Sequence, residues 1–167
     1  LVLTYSVYED YPVVTRSARL VQKGDQKIRL ENVMSAAVEF PDMDYEMIHL
    51  SGAWARERYV KTRKLEMGIQ AVQSLAGTGS SSEQNPFIAL KRPHTTEDTG
   101  EVFGFSFVYS GNFLAQVEVS TYEMTRVMMG INPQGFSWEL SRDEEFQTPE
   151  VVMVYSDKGL NGMSQAY

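Results

Sequence analysis

Cysteine is absent from this 167-residue chain, and histidine occurs only twice, as His49 and His94. The chain therefore has no disulfide bond and no thiolate chemistry. With no cysteine and no second histidine at ligand spacing, we expect neither a metal site nor any other cofactor. A chain without cysteine fits a reducing compartment, and we expect a cytoplasmic protein.

Long apolar runs and nucleotide-binding motifs are also missing. No segment approaches the ~20 apolar residues that span a bilayer, and no signal peptide is visible. The nearest approach to a phosphate-binding loop, Gly77, Thr78 and Gly79, leads into serines rather than a helix, so we interpret residues 76–84 as a flexible loop. Because the chain starts inside a strand pattern and without Met, we expect it to be a piece of a longer protein.

Basic residues are scarce relative to acidic ones. The chain has 15 Lys and Arg against 22 Asp and Glu, a formal net charge of −7, and its pI is about 4.9. A basic surface supplies most of the affinity for nucleic acids and anionic membranes, so we expect neither as a partner. The length and the 43% hydrophobic content fit one folded domain over residues 1–167.

Alternation with a period of two residues dominates the remaining pattern. Turn residues separate the alternating segments, and Gly111 with Asn112 predicts a hairpin between its neighbours. Helical periodicity is confined to residues 161–167. An all-β fold follows, a sandwich or barrel of mostly antiparallel strands. The predicted strands cover residues 1–8, 13–21, 27–40, 45–50, 59–70, 87–91, 102–110, 113–119, 125–131, 136–140 and 150–155.

The two tryptophans differ in context. Trp138 lies in strand register, which favours a place in the core. Trp54 stands in a bend of small residues, where it is either a buried plug or a contact for a ligand. An indole can cover the apolar face of a sugar and its N–H can donate a hydrogen bond, but residue type alone favours the plug.

Arg56 and Arg58 follow Trp54 closely and would share one face of an extended strand, with Glu57 on the other face. One interpretation is a pair of surface arginines in salt bridges. The alternative is a pair that donates bidentate hydrogen bonds to a neighbouring domain or subunit.

Carboxylates are numerous, but the sequence identifies no catalytic pair. Glycoside hydrolysis needs two of them held ~5–10 Å apart across a sugar. Asp42 and Asp44 flank a turn, whereas Asp143, Glu144 and Glu145 form a run. Turn capping and a solvated loop are the simpler interpretations of these two groups.

Longer motifs carry a family resemblance from about residue 13 to the end. In order along the chain, they resemble the N-terminal region of bacterial α-galactosidases of glycoside hydrolase family 36. The motifs are HLSGAWARER (49–58), KLEMGIQ (64–70), NPFIAL (85–90), GEVFGFSFVYSGNFLAQVEV (100–119), GINP (130–133) and FQTPEVVMVYSDKGLNGMSQAY (146–167).

The resemblance implies a β-supersandwich of the galactose mutarotase-like kind, followed by a (β/α)8 barrel and a small C-terminal β domain. It also implies hydrolysis of terminal α-galactosides such as melibiose and raffinose with retention. Two Asp on the barrel would act as nucleophile and acid/base. We expect that barrel after residue 167, so this chain would hold no catalytic residue and would help to shape the substrate pocket and the oligomer.

One binding residue is implied directly, because the G-A-W-x-R-E-R motif is intact. Trp54 corresponds to a residue that contacts the galactoside substrate near its pocket. Family members are often homo-oligomers, which makes Arg56 and Arg58 possible interface residues. Two alternatives stay open: a free-standing carbohydrate-binding β-sandwich, and, ranked last, a mutarotase-like enzyme that would need a catalytic His and Glu.

Overall fold

The computed structural model describes residues 1–77 and 80–167, which form fourteen strands and two helices. The elements are β1 (Val2–Val7), β2 (Val13–Val21), β3 (Ile28–Leu30), β4 (Met34–Phe40), β5 (Glu46–Ala53), β6 (Arg56–Lys64), β7 (Gly68–Ser74), α1 (Ser80–Glu83), β8 (Gln84–Lys91), β9 (Val102–Phe107), β10 (Phe113–Val119), β11 (Thr125–Ile131), β12 (Trp138–Leu140), β13 (Glu145–Gln147), β14 (Val151–Ser156) and α2 (Gly159–Ala166).

Antiparallel pairing joins these strands into two large sheets and one small one. The eight-stranded sheet has the order β1-β2-β14-β9-β8-β5-β6, and β13 pairs with β2 beside this path. A four-stranded sheet has the order β4-β11-β10-β7, and β12 pairs with β3. β6 is therefore an edge strand of the larger sheet, next to β5.

The main hydrophobic core lies between the two large sheets. Along β10, Phe113, Ala115, Val117 and Val119 are buried, and the residues between them are only half-buried. These side chains meet apolar residues of the eight-stranded sheet in one cluster. The alternation that predicts β10 in the sequence thus reflects one face turned to the core and one turned outward.

A second, smaller cluster covers the opposite face of the eight-stranded sheet, where α2 packs. Ile48, Val154 and Met163 belong to it. Gly104 leaves room for the helix, since a Cβ there would lie 2.9 Å from Met163 Sδ and 2.8 Å from Tyr167 Oη. α2 has eight residues, and no helix in the described part of the chain is long and apolar enough to cross a membrane.

The all-β sandwich and most of the predicted strands are confirmed, as is the C-terminal helix. The hairpin predicted at Gly111 is wrong, because β9 belongs to the eight-stranded sheet and β10 to the four-stranded one. Residues 108–112 cross between the sheets. The predicted strand over 59–70 is in fact two strands. β6 ends at Lys64, the following Leu65 is fully buried, and Gly68, the first residue of β7, adopts a φ of 102°.

Two further predictions need correction. Trp138 is 49% exposed rather than in the core, because β12 pairs only with the short β3; its ring packs on Phe146 at a centroid distance of 5.4 Å. The flexible loop predicted over 76–84 instead contains α1 and the first residue of β8. Thr78 and Gly79, which belong to the same prediction, lie outside the described residues.

Candidate functional site

The β5–β6 hairpin carries Trp54 at its turn. Ala53 pairs with Arg56, so Trp54 and Ala55 form the connection, and Ala55 adopts a left-handed φ of 63°. The Trp54 side chain is 87% exposed. The interpretation as a buried plug is therefore wrong for this chain: the indole projects from the end of a hairpin into solvent.

A bulge holds the two strands close together just behind the turn. Ser51 pairs with Tyr59, which leaves Glu57 and Arg58 opposite Gly52 alone. A Cβ at Gly52 would lie 2.8 Å from the Cα of Glu57 and closer still to the backbone carbonyl before it. Only glycine fits where the two backbones are this close. The geometry of the bulge therefore explains why the motif has a glycine at position 52.

The bulge also separates the two arginines. Arg58 adopts a left-handed φ of 61°, which breaks the alternation of an extended strand. Arg56 shares a face of the hairpin with Tyr59 and Lys61, whereas Arg58 lies on the other face beside Leu50. The expectation that Arg56 and Arg58 share one face is wrong. Both are exposed, and neither forms a salt bridge with any residue that the structure describes.

An open depression of about 470 Å³ lies on the Arg56 face of the hairpin. Residues 51–53 form one wall, and the side chains of Arg56, Tyr59, Lys61 and Gln84 complete it. The Gln84 Oε1 atom is buried and accepts no hydrogen bond from the described residues. The Gln84 side chain and two cations therefore border one depression close to the turn that carries the indole.

A second depression, of about 590 Å³, lies on the opposite face. Arg58, Leu50, Phe87 and Tyr167 border it, and the last two rings meet edge to face at 5.8 Å. Burial raises the pKa of the Tyr167 phenol well above its ordinary value, which keeps it protonated. The hairpin thus divides a polar depression from a more apolar one.

His49 lies on β5 at the base of the same hairpin and is buried. Its Nε2 atom accepts a hydrogen bond from the Arg63 guanidinium at 2.9 Å, so the ring proton is assigned to Nδ1, which has no partner among the described residues. Burial, Arg63 and Lys61 together lower the pKa of His49. A buried ring held by a cation has a structural role. Within the described residues, no group of three or more His, Asp and Glu is placed to hold a metal ion.

The Asp42 carboxylate, one of the candidate acidic groups, accepts hydrogen bonds from within the chain. The Asp42 carboxylate accepts the backbone N–H of Asp44 at 2.9 Å, which confirms the capped turn. Arg92 donates to both Asp42 oxygens, at 2.6 and 3.1 Å, and its hydrogen bond lowers the pKa of Asp42. Arg92 also binds Glu101 and lies 4.0 Å from the centre of the Tyr45 ring. This cluster ties the β4–β5 turn to β8.

The acidic run behaves as predicted for a solvated surface. Asp143 forms an exposed salt bridge with Lys23 at 2.9 Å. Glu145 begins β13 and pairs with Arg19, also at 2.9 Å. Exposed pairs of this kind contribute little to stability.

Comparison with known sequences shows that the chain is similar to the N-terminal part of α-galactosidases. The sequence profile of the glycosyl hydrolase family 36 N-terminal domain matches residues 1–141. α-Galactosidase AgaA of Geobacillus stearothermophilus is 57% identical over 165 residues, which cover 99% of this chain and 22% of that protein. α-Galactosidase 1 of Pediococcus pentosaceus is 47% identical with the same coverage. The chain thus spans about a fifth of the length of these relatives.

Solved structures of α-galactosidases also match this chain over nearly its whole length. The crystal structure of AgaA superposes with a TM-score of 0.96 at 56% identity, covering 99% of this chain and 23% of that one. The α-galactosidase of Lactobacillus brevis superposes with a TM-score of 0.95 at 41% identity, covering 98% and 22%. AgaA variants have been crystallised with stachyose and with raffinose.

Replacement of Gly52 tests the close approach within the hairpin. We expect Gly52→Ala to lower the free energy of unfolding by about 1–3 kcal/mol, because the added methyl group must push β6 away from β5. Urea denaturation measures the loss. Gly24→Ala is the matched control, since its Cβ would meet only a flexible side chain at 3.6 Å. Equal effects of the two substitutions would contradict the close approach.

The environment of His49 predicts a pH dependence of stability. Its folded-state pKa lies below the ordinary 6.5, so the unfolded chain gains a proton that the folded chain does not bind. The contribution of His49 is therefore fully present above about pH 6.5 and is lost as the pH falls through the lower, folded-state pKa. When the pH falls from about 7.5 to about 5, we expect the free energy of unfolding to decrease less for His49→Gln than for the unmodified chain.

Urea denaturation at both pH values measures this difference. His94→Gln is the control because His94 is exposed and is the only other histidine. It should keep the pH dependence of the unmodified chain. The assignment fails if the His49 and His94 variants respond to pH in the same way.

Proposed function

Because the chain belongs to the N-terminal domains of glycosyl hydrolase family 36, we propose that it is the non-catalytic N-terminal domain of a retaining α-galactosidase. In this proposal residues 1–167 are one β-sandwich domain, and a barrel outside it holds both catalytic Asp. The substrates are terminal α-galactosides of the melibiose and raffinose type. Trp54 helps to form the wall of the substrate pocket.

The exposure of Trp54 is the observation that carries the proposal. An indole that is 87% exposed contributes little to the core of this chain. It stands at the end of a hairpin that Gly52 and its bulge hold tightly. A rigid aromatic ring loses little conformational entropy when a ligand binds, so its contact contributes more fully to affinity.

The chemistry of the indole matches a galactoside. Its face can cover the apolar C–H surface of a hexose, and its N–H can donate to a hydroxyl. Such a contact orients the sugar for catalytic groups elsewhere but transfers no proton itself. Asp42 and Glu139 are unsuited as general acids, because hydrogen bonds from Arg92 and Arg29 lower the pKa of each, whereas a general acid needs a raised pKa.

A homo-oligomer is a further part of the proposal. Arg56 and Arg58 are exposed and lack salt-bridge partners among the described residues, which supports a role in contacts outside the chain. Since they lie on opposite faces of the hairpin, they would contact two different surfaces rather than one. The cytoplasmic location expected from the cysteine-free composition stays a prediction.

Substitution of Trp54 tests its role in the full-length enzyme. We expect Trp54→Ala to lower kcat/KM for melibiose by about tenfold, the loss of about 1.4 kcal/mol of binding to the transition state. Trp54→Phe should retain part of the activity because a ring face remains. The melting temperature should change little, since the side chain is exposed.

Trp138→Ala is the matched control, as Trp138 is the only other tryptophan and lies in the small β12–β3 sheet. It should leave kcat/KM unchanged. A large fall in melting temperature with unchanged kinetics for Trp54→Ala would assign the indole to stability instead.

The isolated chain should not hydrolyse a chromogenic α-galactoside, whereas the full-length enzyme should. Turnover by the purified chain, free of host enzyme, would contradict the placement of both catalytic Asp outside it. Tryptophan fluorescence during titration with melibiose separates the remaining alternative. Micromolar binding would favour a free-standing carbohydrate-binding module over a domain whose site needs the barrel.

A further inference from the structure

β6, the strand that follows the Trp54 turn, pairs with β5 alone. All nine of its residues are exposed, so none of them is anchored in either hydrophobic cluster. The bulge at Gly52 interrupts the pairing, and only the pair of Ala53 and Arg56 lies between this bulge and the turn. The position of the turn therefore depends on what holds the rest of β6 against β5.

One side-chain hydrogen bond crosses the hairpin on the far side of the bulge. The Arg63 guanidinium on β6 donates to Nε2 of His49 on β5 at 2.9 Å. His49 is only 8% exposed and lies on the same face of β5 as Met47, which belongs to the main core. Among the described residues, no other side chain of β6 forms a hydrogen bond or a salt bridge. This bond therefore ties an exposed edge strand to a buried residue.

The hydrogen bond requires a neutral His49. A guanidinium carries N–H groups and no acceptor, so Nε2 of His49 must offer its lone pair. A protonated imidazole carries a proton on both nitrogens and can accept no hydrogen bond. Protonation of His49 would therefore break the bond with Arg63 and place two cations side by side.

The charges around His49 strengthen this dependence. Lys61 pairs with it directly across the hairpin, and Arg63 lies beside it. β8 places the apolar Ile88 on the other side, while α1, which packs on both strands of the hairpin, carries the exposed Glu83. Burial, followed by Arg63 and Lys61, lowers the pKa of His49, so the ring gains a proton only below about pH 6.5. The protonated ring would then repel both cations of β6.

We propose that the hydrogen bond between His49 and Arg63 positions Trp54 for the substrate, and that protonation of His49 releases β6 and displaces the indole. His49 is thus a positioning residue, which acts through the hairpin and touches no substrate itself. The inference rests on the role proposed for Trp54 above and adds a dependence of that role on pH. It concerns the folded enzyme and so goes beyond the pH dependence of stability.

A purely stabilising role of His49 is the competing explanation. In that case its substitution would lower the melting temperature, and any change in rate would be independent of Trp54. In a positioning role, the effect on the rate disappears when the indole is already absent. A double-mutant cycle separates the two explanations, because it measures whether two residues act together.

Kinetics of the full-length enzyme with melibiose test this coupling. Arg63→Met and His49→Leu each remove the hydrogen bond and should lower kcat/KM about threefold at about pH 7.5, less than complete loss of the indole. In enzyme that already carries Trp54→Ala, the same substitutions should change kcat/KM by less than about 1.5-fold. Lys64→Gln is the matched control, since it removes the neighbouring exposed cation of β6, and it should leave kcat/KM unchanged.

The pH profile tests the role of protonation. His49→Gln keeps an acceptor for Arg63 but gains no proton, so its kcat/KM at about pH 7.5 should stay within about twofold of the unmodified enzyme. From about pH 7.5 to about pH 5, kcat/KM of the unmodified enzyme should fall about threefold further than that of His49→Gln. The catalytic groups are the same in both enzymes, so the ratio of their rates isolates His49. His94→Gln should follow the unmodified enzyme.

Fluorine NMR measures the position of the indole without reference to activity. Fluorotryptophan labels the full-length enzyme, and the signal that is missing from Trp54→Phe belongs to Trp54. We expect this signal to shift between about pH 7.5 and about pH 5 in the unmodified enzyme but not in His49→Gln. Arg63→Met should show the shifted signal at both pH values. Circular dichroism checks that each variant is folded.

Two results would overturn the inference. One is an equal loss of kcat/KM for Arg63→Met with and without Trp54, and the other is the same pH response of His49→Gln and the unmodified enzyme. A loss in Lys64→Gln as large as that in Arg63→Met would also contradict it. Failure of the galactoside proposal looks different: Trp54→Ala alone would leave kcat/KM unchanged, while the fluorine signal of Trp54 would still respond to His49.

Discussion

Burial of β5 on both of its faces is the constraint on which the hairpin depends. Met47 belongs to the core between the two large sheets, whereas Ile48 belongs to the cluster that α2 covers. Neither side chain can move without opening a packed interior, and cavities in such interiors are costly. The part of β5 that leads to Trp54 is therefore fixed in place. The close backbone contact at Gly52 holds β6 against it.

Local alternation predicted the strands well because it is a property of neighbouring residues. The bounds of β2, β10 and β11 agree with the sequence prediction at both ends. The pairing of strands depends on residues that are far apart in the sequence, so local alternation does not predict it. Gly111 and Asn112 have the composition of a hairpin turn, yet they lead from one sheet to the other, since the core lies between β9 and β10.

The environment of the site could be predicted only in part. The bend around Trp54 was visible from its small neighbours, and the intact motif indicated a ligand contact. The faces of Arg56 and Arg58 were not predictable, because a single left-handed φ at Arg58 reverses the alternation and no residue type there signals it. The unsatisfied oxygen of Gln84 depends on tertiary packing alone.

The ion pairs of this molecule lie away from the exposed indole and cations of the β5–β6 hairpin. Arg92 binds Asp42 and Glu101 and so holds a turn against a strand, while Arg126 binds Glu39 between β4 and β11. The β5–β6 hairpin leaves its cations and its indole without such partners among the described residues. A ligand that binds Trp54 breaks no salt bridge among the described residues, so its binding free energy is not offset by the loss of an ion pair. A hairpin with an exposed indole and unpaired cations is therefore suited to contacts outside the chain, whereas Asp42 and Glu101 are occupied in holding a turn against a strand.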